Sequence, residues 1–68
     1  MSLYIIRKNA PTVMTKKVGA GKRYASFCLD HPMIFEKREL LEVSSDEYHF
    51  AGRDGKEWYF AANDVRMV

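Results

Sequence analysis

The sequence predicts an all-β fold, a small antiparallel barrel of five to six short strands with a short 3₁₀ turn near the C-terminus. Three observations lead there. Short runs rich in Tyr, Ile, Val and Phe alternate with turn residues. No stretch keeps a helical period long enough for a convincing helix. Two pairs of such runs flank turn signatures, "GAG" at 19–21 and "DG" at 54–55.

Each element follows in order. "LYIIRK" at 3–8 reads as a first strand, and "NAPT" breaks it, because Asn9 favours turns and Pro11 lacks an amide proton. Residues 12–18 and 22–29 read as a hairpin around a three-residue loop, with Gly19 and Gly21 at positive φ. That register sets Val18 opposite Lys22 and Val13 opposite Phe27, with Val13, Ala25, Phe27 and Leu29 on the half-buried face. "DHP" at 30–32 ends the hairpin. "MIFEKRELLEV" reads as a segment bending around 36–39 and continuing as a strand at 40–44. Phe35, Leu41 and Val43 share strand parity there, while Glu36, Lys37, Arg38 and Glu39 would suit a helical turn.

"EYHFAGRDGKEWYFA" then gives a second hairpin around Asp54-Gly55. Pairing Arg53 with Lys56 sets Ala51 opposite Trp58 and His49 opposite Phe60 on one face. Phe50 opposite Tyr59 and Tyr48 opposite Ala61 fall on the other. "AAND" gives a short 3₁₀ turn and "VRMV" a last strand. The expected core is Trp58 and Phe60 against Val13, Phe27, Leu41, Val43 and Val65.

Size and charge bound the function. Sixty-eight residues make one domain, and a domain this small buries only ~60% of its unfolded surface. Cys28 is the only cysteine, so no intrachain disulfide forms, which fits a reducing compartment. No apolar run reaches a membrane span and the start does not have the form of a signal peptide. The expectation is a cytoplasmic protein without a membrane partner. A phage or mobile-element origin would suit so short a chain. The net charge is +2, yet residues 1–29 carry six cations and no acid, while residues 30–68 carry nine acids against five bases. Such a split orients a charged partner or joins two complementary halves.

Residues 33–68 resemble the second half of an SH3-type barrel. "MIFEKRELLEV" resembles its diverging turn, "YHFAGRDGKEWYF" its strand–turn–strand, and "FAANDVRMV" its closing 3₁₀ turn and final strand. The family's peptide-gripping tryptophan falls at about His49, its 3₁₀ proline at Ala61 and its following tyrosine at Asp64. The N-terminal aromatic motif is absent. The resemblance therefore implies the barrel and not recognition of proline-rich peptides. "DGKEWYFAANDVRMV" is also similar to the wing of small phage excisionases, whose upstream helix-turn-helix residues 1–32 do not offer.

No catalytic signature survives inspection. "VGAGKR" at 18–23 is not a phosphate loop: Lys16 stands where its first glycine belongs and Arg23 where Ser or Thr belongs, and "RYASFCL" reads as a strand rather than a helix. Cys28 and His31 offer half a metal site at most, with only His49 to add, so no metal or cofactor is expected. The same pair lacks the orienting group a nucleophile needs. Glu36, Glu39 and Glu42 read as a solvated face.

Two binding surfaces remain. Lys16, Lys17, Lys22 and Arg23, with Tyr24 beside them, form a basic hairpin that either holds an anionic partner or simply protects strand edges from aggregation. Tyr48, Phe50 and Tyr59 form an aromatic patch for a protein partner if the opposite face fills the core. The expected function is a non-enzymatic module, a regulator or inhibitor docking a larger protein. The alternative is a nucleic-acid binder using hairpin 16–24 on phosphates.

Overall fold

The computed structural model describes residues 2–52 and 54–68. Their strands are β1 (Leu3–Ile6), β2 (Pro11–Val18), β3 (Gly21–Cys28), β4 (Met33–Glu36), β5 (Leu40–Val43), β6 (Glu47–Ala51), β7 (Glu57–Ala61) and β8 (Val65–Met67). One 3₁₀ turn, Lys37–Glu39, joins β4 to β5, and another, Ala62–Asp64, joins β7 to β8. The second stands where "AAND" predicts it. The chain is all-β, in two antiparallel sheets ordered β4-β1-β8 and β3-β2-β7-β6-β5.

Two features differ from the expected barrel. The described strands number eight rather than five or six, with β4 and β5 as separate strands on either side of the bend at 36–39. The ladders also leave β3, β4, β5 and β8 as open edges, so the sheets do not close into a barrel.

Both hairpins are shifted by one residue from the expected register. At the first, Val18 pairs with Gly21 across a two-residue loop of Gly19 and Ala20. Gly19 has φ 59°, whereas Gly21 is an ordinary strand residue. Val13 therefore opposes Ser26, and Thr12 opposes Phe27. At the second, Ala51 pairs with Glu57, and the Gly52 amide donates to the Lys56 carbonyl at 2.8 Å. The Gly55 amide donates to the Gly52 carbonyl at 3.2 Å, and Gly55 has φ 81°. A glycine of positive φ closing a longer loop is the turn-plus-bulge form of hairpin. The expected partnership of Arg53 with Lys56 involves Arg53, which lies outside the described residues. Phe50 now opposes Trp58 and His49 opposes Tyr59.

A one-residue slip moves a strand's side chains to the opposite face. β6 turns Phe50 inward, and β2 turns Val13 outward. The buried apolar core is Tyr4, Ile6, Ala10, Leu29, Phe35, Phe50 and Phe60. Phe50 is 0% exposed and stacks on Phe35, with ring centroids 4.5 Å apart and planes 11° from parallel. It also meets Tyr4 at 5.4 Å and Phe60 at 5.9 Å. Of the expected core, Phe60 is buried and Trp58 and Val65 are half-buried against it. Val13, Phe27, Leu41 and Val43 are exposed. Leu41 lies at a break in register between Leu40 and Glu42, and Leu40 packs on the core in its place, while Val43 pairs with Tyr48 yet stays exposed at the end of β5.

Backbone pairing also fixes the ends of the chain. The Leu3 and Val68 backbones exchange hydrogen bonds at 3.0 and 2.8 Å. Beyond β1, the Arg7 guanidinium pairs with the Asp64 carboxylate of the second 3₁₀ turn, and the Arg7 amide donates to the Asp64 carbonyl at 3.1 Å.

Truncating Phe50 to Ala should cost ~3–5 kcal/mol, as large aromatic-to-alanine changes in cores do, enough to unfold a domain this small. Trp58→Ala should cost less, and denaturant melts of the two variants compare them. Gly55→Val should lower stability by ~1 kcal/mol or more through backbone strain alone, because nothing lies within 4 Å of the added Cβ.

Candidate functional site

Hairpin β2–β3 carries the basic residues, and strand alternation decides where each one points. Lys16 pairs with Arg23, and Lys17 with Lys22. The first pair continues the Met14–Ala25 and Thr12–Phe27 rows, which share their face with Trp58 and Phe60. The second continues the Thr15–Tyr24 and Val13–Ser26 rows, on the outer face with Glu57 and Tyr59. The four cations are thus exposed but divided two and two between opposite faces.

One cation is already engaged. The Lys22 ammonium donates to Glu57 Oε2 at 3.1 Å, reaching from β3 across β2 to β7. The other oxygen of that carboxylate, Oε1, lies 2.9 Å from His49 Nε2. The His49 ring in turn stacks on Tyr59, with centroids 4.1 Å apart. The hydrogen bond from Lys22, reinforced by its charge, holds the Glu57 carboxyl below its ordinary value. The same bond holds the Lys22 ammonium above its own. Tyr59 is pushed up, first by loss of solvent and then by the neighbouring Glu57 charge.

The signs of these shifts set a pH window. A lowered Glu57 contributes stability above its unfolded value, and the contribution is lost as pH falls through the folded one. A raised Lys22 contributes below its unfolded value, and loses it as pH rises through the folded one. Glu57 is 35 residues from Lys22 in sequence. Only the correct hairpin register brings them together, so no local pattern marks Glu57 as a partner.

β3 is unusual among the strands. All eight of its residues are exposed, Tyr24 to 71% and Phe27 to 39%. It pairs with β2 on one side and with no described strand on the other. Phe27 keeps an edge-on contact with Trp58, with centroids 6.1 Å apart, so the strand is only lightly anchored to the rest of the sheet's inner face.

The aromatic patch expected from Tyr48, Phe50 and Tyr59 is not assembled. Phe50 is fully buried, Tyr48 is half-buried and stacked on it, and Tyr59 faces the other way beside His49. The cause is the slipped register of β6. Near Tyr59 the outer face instead holds an open groove of about 600 Å³, lined by Pro11, Val13, Cys28, Glu47, Tyr59 and Ala61 among others. Cys28 is an exposed free thiol at the end of β3. His31 lies exposed in the following turn, and His49 belongs to the Glu57 network. No helix among the described residues is long and apolar enough to cross a membrane. No family model matches the chain, and neither the curated proteins nor the solved structures contain a match to it.

Lys22→Ser removes the largest cause of the Glu57 shift, so the Glu57 midpoint should rise toward the ordinary glutamate value. Side-chain carboxyl resonances followed through an acid titration measure it. An unchanged midpoint would mean that the pair does not form in solution.

Proposed function

We propose that this chain is a non-enzymatic protein-interaction module, a small regulator or inhibitor that docks a larger protein in the cytoplasm. The observation that carries the reading is β3, an edge strand with every residue exposed, bearing Tyr24 on its outer face and Phe27 on its inner one. Exposed aromatics at a strand edge are suited to the apolar centre of a protein interface. The division of the cations supports the same reading. A phosphate-tracking surface gains from basic side chains lying along one groove, whereas here Lys16 and Arg23 face away from Lys17 and Lys22, and Glu57 already holds Lys22.

The proposed architecture is an SH3-like barrel left open between its two sheets and extended by the long hairpin β2–β3. Its support is connectivity. β1 lies between β4 and β8, the chain passes from one sheet to the other at a turn between β4 and β5, and a 3₁₀ turn leads into the last strand.

Nucleic-acid binding is the competing reading, favoured by Tyr24, a bare aromatic beside Arg23. Fluorescence anisotropy of labelled single- and double-stranded oligonucleotides at low salt separates the two. The protein-interaction reading predicts no retention in the ~10⁻⁴–10⁻⁶ M range of non-specific binders, and capture of protein by the immobilised chain from nuclease-treated lysate. Oligonucleotide binding that falls steeply with salt and vanishes when Lys16, Lys17, Lys22 and Arg23 become Ser would overturn it.

A further inference from the structure

Strand alternation also decides which backbone groups of β3 are free. The Leu29 amide donates to the Ala10 carbonyl at 3.1 Å, just beyond the ladder in which Pro11 opposes Cys28. Paired residues of an antiparallel ladder alternate between exchanging hydrogen bonds and not exchanging them. With Leu29 bonded to Ala10, the bonded pairs are Thr12–Phe27, Met14–Ala25, Lys16–Arg23 and Val18–Gly21. Lys22, Tyr24, Ser26 and Cys28 therefore aim their N–H and C=O groups away from β2, along an edge no described strand covers.

We propose that this edge receives an extended acidic peptide segment of a partner protein as an added antiparallel strand, continuing the sheet beyond β3. The inference rests on the protein-interaction reading and specifies how the partner is held. Strand addition satisfies the alternating donors and acceptors of an open edge, and side-chain contacts supply selectivity. The side chains along the edge are graded. Lys22 and Arg23 lie toward the tip with Lys16 and Lys17 beside them, and Tyr24, Ala25 and Phe27 lie toward the base. The complementary segment carries apolar residues in its first half and carboxylates in its second. An antiparallel strand then sets the carboxylates against the cations.

Charge also selects among occupants. A second copy placed edge to edge would bring together two hairpins that each carry four cations and no acid between Pro11 and Cys28. Phosphates can meet the cations, but they cannot repeat the donor–acceptor spacing of the edge.

The probe is a capped peptide of alternating Thr and Val ending in a run of Glu, with a control ending in Lys. Titrated into the isotope-labelled chain, the Glu peptide should perturb the β3 amides most and slow solvent exchange at Lys22, Tyr24, Ser26 and Cys28. Binding should weaken at high salt and be lost with the Lys peptide. Two versions N-methylated at alternate amides test the hydrogen bonds with the protein unaltered. One should lose binding and the other keep it, because only every second peptide amide faces β3. Ser26→Pro, whose ring replaces an outward N–H, should weaken binding by about tenfold or more while the chain stays folded by circular dichroism. The proposal is overturned if the Glu peptide does not bind, maps to another surface, or binds equally in both methylated forms. It is also overturned if an oligonucleotide rather than the peptide protects the edge. The peptide results remove strand addition alone, whereas protection by an oligonucleotide also counts against the protein-interaction reading on which the proposal rests.

Discussion

The stack of Phe35 on Phe50 is the contact on which the rest of the molecule depends. Phe35 comes from the three-stranded sheet and Phe50 from the five-stranded one, so the pair bridges the two layers directly. Phe60 meets both rings, and Tyr4 meets Phe50. A chain of 68 residues has no disulfide to hold its sheets together. A single aromatic cluster therefore has to offset most of the entropy of ordering, which in so small a domain leaves little surplus.

Concentrating the core there has a consequence for the hairpin β2–β3. Its base is held by Ala10, Thr12 and Leu29, which are buried, and by the ladder from β2 to β7. Beyond Thr15 the burial ends, and Lys16 through Cys28 are exposed throughout. What steadies the outer portion is polar: the Lys22–Glu57 pair, tied through the carboxylate to His49 and by stacking to Tyr59. Exposed ion pairs contribute little to stability, so the network fixes the direction of side chains more than it holds the fold. The core leaves β3 free, and the polar network keeps its outer face arranged.

The sequence made the strand content, both hairpins, the bend at 36–39 and the second 3₁₀ turn legible, because each depends on local chemistry. Turn residues and strand propensity act over a few positions. Register depends on loop length, and each loop differs by one residue from the length its turn residues suggest. In "GAG" only Gly19 needs positive φ, so the loop is shorter than the glycines suggest. In "RDG" the glycine closes a longer turn than Asp-Gly alone, and the small Gly52 before it was the available signal. In each hairpin one strand kept its expected face, with Phe27 and Phe60 correctly oriented, while the partner strand flipped. That flip hid Phe50 and dismantled the aromatic patch. The cations were visible as a group and alternation alone divides them two and two, but which of them share a face, Lys16 with Arg23 and Lys17 with Lys22, follows from register. Glu57 was not marked at all, because its partners lie on two other strands.

The account turns on β3 being a single-sided strand held by its ladder to β2 but left uncovered on its other edge. Amide hydrogen exchange of the free protein at low concentration tests this most directly. Slow exchange at Arg23, Ala25 and Phe27, alternating with fast exchange at Lys22, Tyr24, Ser26 and Cys28, is the pattern the geometry requires. Uniform protection along β3 would show that something already covers the edge. Uniformly fast exchange would show that the hairpin does not persist beyond its buried base, and either result would contradict the account.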